Sequence, residues 1–316
     1  FHRYSVDADW LVPHFEKMLY NQSQLGFLYL LAYRFTGNKY FMRICEQTIT
    51  YVLRDMQLPE GGFYSATDAD SEGIEGLFFL WTLEEINNAL EEPEAQIVID
   101  VFGVTSLGNF EGSNILCLST PFVGIEKKYG EDFSERLDGI LVKLYKVREQ
   151  RVHPLRDDKL IVAWASAFIS TLALTGSYFG NKEWIELGEK AVRLIIDKCI
   201  DEDFRLSRIY LNASASIEGQ LEDYVNLIEA LLHLFDITSK LIYLNQASSL
   251  MEKCLEEFWD EREDEFYLSP SNQLGPQLTR SRNASDGAIL SPVATSITCL
   301  YKLYQRNALI SDKSLS

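Results

Sequence analysis

The 316-residue sequence is short of cysteine, histidine and positive charge, and each shortage excludes something. Its five cysteines (Cys45, Cys117, Cys199, Cys254 and Cys299) are scattered, odd in number and never paired as C-x-x-C. That argues against a disulfide framework or a zinc cluster and fits a reducing compartment, so a cytoplasmic location is expected. The four histidines show neither H-x3-H nor H-E-x-x-H spacing, and no metal site is expected. Lys and Arg number 29 against 47 Asp and Glu, a formal charge of −18. Such a surface does not bind a polyanion, so nucleic acid is excluded as a partner. Neither G-x-x-x-x-G-K-[ST] nor G-x-G-x-x-G occurs, which disfavours P-loop and dinucleotide chemistry, and no cofactor is expected. No unbroken apolar run reaches about 18 residues, so no membrane partner is expected either.

What the chain has is hydrophobic residues, 47% of the total, and a repeat. Thr36-Gly-Asn-Lys-Tyr40, Gly180-Asn-Lys-Glu-Trp184 and Lys240-Leu-Ile-Tyr243 each precede a helical stretch, over 41–56, 185–200 and 244–259. Each also follows an apolar-rich helix, over 15–35, 160–178 and 223–238, and leads into a small aromatic strand or hairpin. One helix pair cannot bury its own apolar face, so such units stack, either as an open solenoid or as a closed toroid. Residues 61–155 interrupt the repeat. There Phe78-Phe-Leu-Trp81 reads as a strand, Thr82 with Glu85 as a capping box, the stretch from Pro121 to Asp132 as loops, and 133–149 as a helix.

The densest chemistry lies in Trp10-Leu-Val-Pro-His-Phe-Glu-Lys-Met-Leu-Tyr20. Pro13 suits a first helical position, and a helix from there carries His14, Glu16, Lys17 and Tyr20 on neighbouring faces. His14 is able to transfer protons near neutral pH, with Glu16 to tune it. A hydrogen-bonding structural histidine is the equal alternative. His2, Arg3 and Tyr4 form a second polar-aromatic group. His153, in a loop, and His233, in mid-helix, read as structural. Asp68-Ala-Asp-Ser-Glu72 lacks the D-x-D-x-D-G pattern of a calcium loop, although Asp68 and Asp70 alternate and so share a side.

Several blocks together resemble the spermatogenesis-associated protein 20 family, the YyaL-type thioredoxin-domain-containing proteins. They are Phe1-His-Arg-Tyr-Ser-Val-Asp7, Pro13-His-Phe-Glu-Lys-Met-Leu-Tyr20, Gly61-Gly-Phe-Tyr-Ser-Ala-Thr-Asp-Ala-Asp-Ser-Glu-Gly73, Phe110-Glu-Gly-Ser-Asn-Ile-Leu116, Arg156-Asp-Asp-Lys159 with Trp164, and Glu222-Asp-Tyr224. The resemblance implies an all-α (α/α) helical-hairpin toroid of the six-hairpin glycosidase and N-acylglucosamine 2-epimerase type, present here only in part. Residues 1–316 are then one toroid domain whose insertion, 61–155, covers one mouth, and a thioredoxin-like domain is a partner absent from this chain. Two departures stand out: Ala165-Ser166 follows Trp164 where the family has Asn-Gly, and Leu290-Ser-Pro-Val-Ala294 replaces Pro-Ser-Gly-Asn-Ser. Each removes an amide expected to line the pocket.

In such a toroid the starts of the inner helices converge on one mouth. The expected catalytic set is therefore His14, Glu16, Asp68, Asp70, Asp158 and Asp223. Expected ligand contacts are His2, Arg3, Trp10, Lys17, Tyr20, Tyr64, Lys159, Trp164 and Tyr224. For Asp157, Glu222 and Asp286 helix capping is the leading alternative. For Trp10, Phe15, Phe63, Tyr64, Trp81 and Trp164, core packing competes with stacking on a sugar. Two functions remain open. One is sugar chemistry, as an isomerase or epimerase with His14 as base, or as a glycosidase with paired carboxylates. The other is a non-catalytic scaffold for a small polar ligand or a protein.

Overall fold

Eleven helices run through the described part of the computed structural model, residues 1–130, 132–271 and 279–313. They are α1 (Leu19–Thr36), α2 (Lys39–Asp55), α3 (Leu83–Ala89), α4 (Glu92–Phe102), α5 (Phe122–Tyr129) and α6 (Phe133–Arg148). The second half adds α7 (Val162–Phe179), α8 (Lys182–Cys199), α9 (Leu221–Thr238), α10 (Leu241–Phe258) and α11 (Pro292–Lys313). The chain divides into two compact units. The first holds residues 1, 18–66 and 157–316, and the second holds 2–17 and 67–156. Most of the segment that interrupts the repeat, 61–155, lies in the second unit.

In the first unit α1, α7, α9 and α11 pack side by side in that order, and α2, α8 and α10 back the first three. The turns explain the pairing. Gly37 ends α1 at φ 68° and Gly180 ends α7 at φ 70°, a left-handed conformation that glycine adopts without a Cβ penalty. The next residue in each case, Asn38 or Asn181, caps the following helix by accepting a backbone N–H, from Tyr40 or Trp184. The third turn uses Ser239 at φ 58° instead. After the outer helices, the expected small strands appear as bridges (Gln57 with Phe63, Ile200 with Leu206) and as the hairpin of Trp259–Asp260 with Glu265–Phe266.

Helix α7 is the centre of this core. By length and composition it is apolar enough to cross a membrane, but 67% of it is buried inside the protein. Phe168, fully buried, meets Phe63 edge-on at 4.8 Å between ring centroids. Helices α2 and α8, by contrast, bury one stripe and expose the other, as backing helices should.

Three expectations are corrected in the second unit and at its junction with α1. The helix does not start at Pro13: Pro13–His14 is extended and pairs antiparallel with Tyr4–Ser5, and α1 begins at Leu19. The cause is Asp7, whose carboxylate accepts the N–H groups of Asp9, Leu11 and Val12 and closes a tight loop. Trp10 sits in that loop at φ 58°. Phe78–Trp81 is not a strand, because Phe79 and Leu80 both turn back onto the Gly76 carbonyl, and only Trp81 bridges, to Asn114. Residues 122–129 are helical where loops were expected, with Pro121 immediately before the first turn. The Thr82–Glu85 capping box forms as read.

Gly76 also lets Phe15 into the second unit's small core. Its φ is +76°, and a Cβ there would stand 2.5 Å from the Phe15 ring. Gly76→Ala therefore adds left-handed strain to overpacking and is expected to cost about 2–4 kcal/mol. Urea unfolding of the variant, followed by tryptophan fluorescence, should show this loss, because Trp81 is buried in the same unit.

A candidate ligand cavity and a surface histidine cluster

The first unit contains a cavity of about 310 Å³ on the side of α1, α7, α9 and α11, within the size range of small-molecule sites. Its aromatic wall is Tyr20 from α1 and Trp164 from α7, whose rings meet edge-on at 4.9 Å. Both belong to the expected ligand contacts. They are brought together because each stands in the first turn of an inner helix, and α1 and α7 are neighbours. Ile289 and Leu290, from the segment before α11, complete the apolar part.

Polar groups also line the cavity from α9 and α11, none of them among the expected ligand contacts. Asn226, Glu229 and His233 line the cavity from α9, and Lys302 from α11. Lys302 Nζ donates to Glu229 Oε1 at 2.8 Å and stands 3.5 Å from His233 Nε2. An ammonium has only donors, so Nε2 meets it with its lone pair. Burial, opposed by Glu229 and assisted by Lys302, pushes the His233 imidazole down to about 4, and it is neutral at pH 7. Its buried Nδ1 has no hydrogen-bond partner, and neither does the buried Oγ of Ser170, another wall residue.

A signal for this wall exists in the sequence. Asn226, Glu229, His233 and Asp236 are spaced by three, four and three residues, a polar stripe along a helix that is otherwise buried. Asp236 continues the stripe by pairing with Arg306 of α11.

Asp223 and Tyr224 are both engaged in hydrogen bonds within the fold. Asp223 is fully buried. Its Oδ1 accepts from Ala163 N at 3.0 Å, and its Oδ2 accepts from Gln220 N at 2.9 Å and Arg208 Nη1 at 2.8 Å. One carboxylate thus ties the first turns of α7 and α9 to the hairpin of Ser207–Leu211 with Ser214–Glu218. Burial pushes the carboxyl up to about 6 against the pull of Arg208 and the backbone donors. The Tyr224 hydroxyl accepts from Leu206 N at 2.8 Å. These bonds tie both residues into the fold. Asp158 is exposed, Lys159 pairs with Asp157 at 3.1 Å, and Tyr64 packs half-buried against the main core. Ala165 and Ser166 are fully buried and are not among the residues lining the cavity, whereas Leu290 is.

The second unit brings the N-terminal motif together at its surface. His14 Nδ1 lies 2.9 Å from Glu75 Oε1 and its Nε2 lies 3.6 Å from Glu16, while Arg3 donates to Glu16 at 3.1 Å. Tyr4 stacks on the His14 ring at 5.0 Å. His2 is different: its Nδ1–H donates to the Phe15 carbonyl, and burial, then Lys17, pushes the ring down to about 3. The Lys17 ammonium lies over the Phe79 ring at 4.5 Å. Asp68 and Asp70 are exposed on either side of buried Ala69, and Trp10 is 81% exposed. Phe15, Phe63 and Trp81 are core residues, not stacking platforms. No group of three or more potential metal ligands occurs among the described residues.

No protein-family model matches the chain. Human spermatogenesis-associated protein 20 is 30% identical over 336 aligned residues, which cover 94% of this chain and 42% of the human protein. An uncharacterised protein of Caenorhabditis elegans is also 30% identical, over 96% of this chain and 46% of its own length. The chain therefore spans less than half the length of these relatives. Among solved structures, the cellobiose 2-epimerases of Spirochaeta thermophila and Bacillus thermoamylovorans superpose with TM-scores of 0.52 and 0.53 at 10% identity. Each match covers 84% of this chain, and 50% and 52% respectively of the epimerase. A family 76 glycoside hydrolase from a bovine strain of Bacteroides thetaiotaomicron gives 0.51 at 8% identity, over 93% of this chain and 45% of the hydrolase. The chain is thus a homologue of the spermatogenesis-associated protein 20 proteins, and it has the (α/α) helical-hairpin toroid fold of the six-hairpin glycosidase type.

Proposed function

We propose that the cavity of the first unit binds a sugar and that the chain is a carbohydrate-active toroid, acting as an isomerase or epimerase. The observation that carries this reading is the pairing of an aromatic wall, Tyr20 and Trp164, with a polar wall that holds a neutral imidazole, His233. A pyranose has the matching duality: an apolar C–H face for the indole and hydroxyls for the polar side. The fold shared with cellobiose 2-epimerases supports the class of ligand by analogy. Glycoside hydrolysis needs two carboxylates across the scissile bond. Glu229 is the one carboxylate among the described cavity residues, and it is already paired with Lys302. Proton transfer next to a carbonyl needs one base and not two carboxylates, and Glu229 or His233 serves once the incoming ligand displaces Lys302 from it.

A second reading, a non-catalytic scaffold that partners a thioredoxin-like domain, is favoured by one observation. His14 and Glu16, the first candidates for acid–base work, are paired with Glu75 and Arg3. Proton NMR in D2O with a panel of mono- and disaccharides separates the two. We expect exchange of the C2 proton of at least one sugar, lost in Trp164→Ala and His233→Ala and kept in His14→Ala. Loss in His14→Ala alone would place the chemistry in the second unit. Binding without exchange or cleavage would favour the scaffold, and no binding at all would sink the sugar reading.

A further inference from the structure

We infer that the cavity selects neutral, hydroxyl-bearing ligands and rejects anionic ones, such as sugar phosphates and uronates, through the charge-neutral set Glu229, Lys302 and His233. This rests on the sugar-binding reading and specifies its ligand. Lys302 is the cationic side chain in the cavity wall, and its ammonium is committed to Glu229 at 2.8 Å. The next pair along the same two helices, Asp236 with Arg306, is likewise matched. Every charge that faces His233 from α9 and α11 is therefore paired with its opposite: Glu229 with Lys302, and Asp236 with Arg306.

The polar wall thus offers donors and acceptors side by side with no surplus charge. Lys302 has further N–H groups beyond the one given to Glu229, while Glu229 has acceptor capacity only. A hydroxyl, which both donates and accepts, satisfies such a pair. A carboxylate or phosphate has only acceptors and meets the Glu229 charge at close range, without a free cation to offset it. The field of the whole chain acts in the same direction, because a formal charge of −18 lowers the local concentration of anions.

The test is isothermal titration calorimetry of the full chain with glucose, mannose and cellobiose, and with glucuronate and glucose 6-phosphate. In the wild type, at least one neutral sugar should bind at least tenfold more tightly than glucuronate or glucose 6-phosphate. Glu229→Gln frees the Lys302 charge and should narrow or reverse that ratio by about tenfold. Lys302→Gln leaves Glu229 unpaired and should widen it, which provides a second readout if Glu229→Gln fails to fold by circular dichroism. Anionic sugars binding the wild type as tightly as glucose would overturn this inference and leave the sugar-binding reading standing, as would an unchanged ratio in whichever variant folds. Absence of binding by either class would overturn both.

Discussion

Replacing Asp223 with alanine will destabilise the first unit by about 3 kcal/mol at pH 7.5, more than other polar substitutions in the inner helices. At that pH the carboxyl, although raised to about 6, is ionised and accepts from all three partners. Removing it leaves the Ala163 and Gln220 N–H groups without their acceptor in a place closed to solvent, at roughly 1–3 kcal/mol for each orphaned group. Arg208 is partly rescued, because Glu222 Oε1 lies 2.5 Å from its other terminal nitrogen. That rescue holds the estimate below the roughly 3–5 kcal/mol range expected when a buried pair is broken outright. The measurement is urea unfolding followed by far-UV circular dichroism, with Asp158→Ala as control. Asp158 is exposed, so its replacement should change the midpoint little. If Asp223→Ala unfolds at the wild-type midpoint, the tie between α7 and α9 does not stabilise the fold, and Asp223 returns to the list of ligand-facing carboxylates.

The same residue marks how far the sequence could be read. The three helix pairs of the first unit, their order and the Gly-Asn turns are legible, because glycine and asparagine have strong local reasons to stand where a helix ends and the next begins. The start of α1 was not legible. Pro13 at a helix entry is a sound local inference, but the Asp7 carboxylate, gathering three N–H groups from 9–12, commits the segment to a hairpin. The competing carboxylate stands six residues before Pro13, outside the helical turn that Pro13 would open. Residues 122–129 were misread in the opposite direction, with Pro121 and Gly124 suggesting loops where a short helix forms.

In the candidate cavity, Tyr20 and Trp164 are among the expected contacts, whereas Asn226, Glu229 and Lys302 are not and His233 reads from sequence as structural. Tyr20 and Trp164 stand in dense motifs, whereas Asn226, Glu229 and His233 are spread one turn apart through an apolar helix. A histidine at mid-helix is usually a packed one. Here the periodic company of Asn226, Glu229 and Asp236 distinguished it, together with Lys302 and Arg306 one turn apart on a helix some seventy residues later. Acidic residues at helix starts carry two readings for a related reason. Capping and tying together helix ends uses the same residue types as acid–base chemistry, and only the partners tell the two apart.

The largest functional effect is expected from Ala167→Trp, which should reduce sugar binding at least about 100-fold, a loss of roughly 2.7 kcal/mol, while shifting Tm by no more than a few degrees. Ala167 lines the cavity from α7, between Trp164 three residues before and Thr171 four residues after, both also wall residues. An indole at 167 therefore extends over the same face and occupies the volume that the ligand needs. It enters open space and displaces no packed side chain, which is why stability should survive. Ala165, two residues earlier, is the internal control. It is fully buried in the main core on another face of α7, so Ala165→Trp overpacks that core and should unfold the first unit. Two alanines in one turn of one helix are thus predicted to fail in opposite ways, one in binding and one in folding. Titration calorimetry beside thermal unfolding reads both outcomes. If Ala167→Trp binds sugar as the wild type does, the ligand does not occupy this cavity, and the His14 cluster of the second unit becomes the site to test.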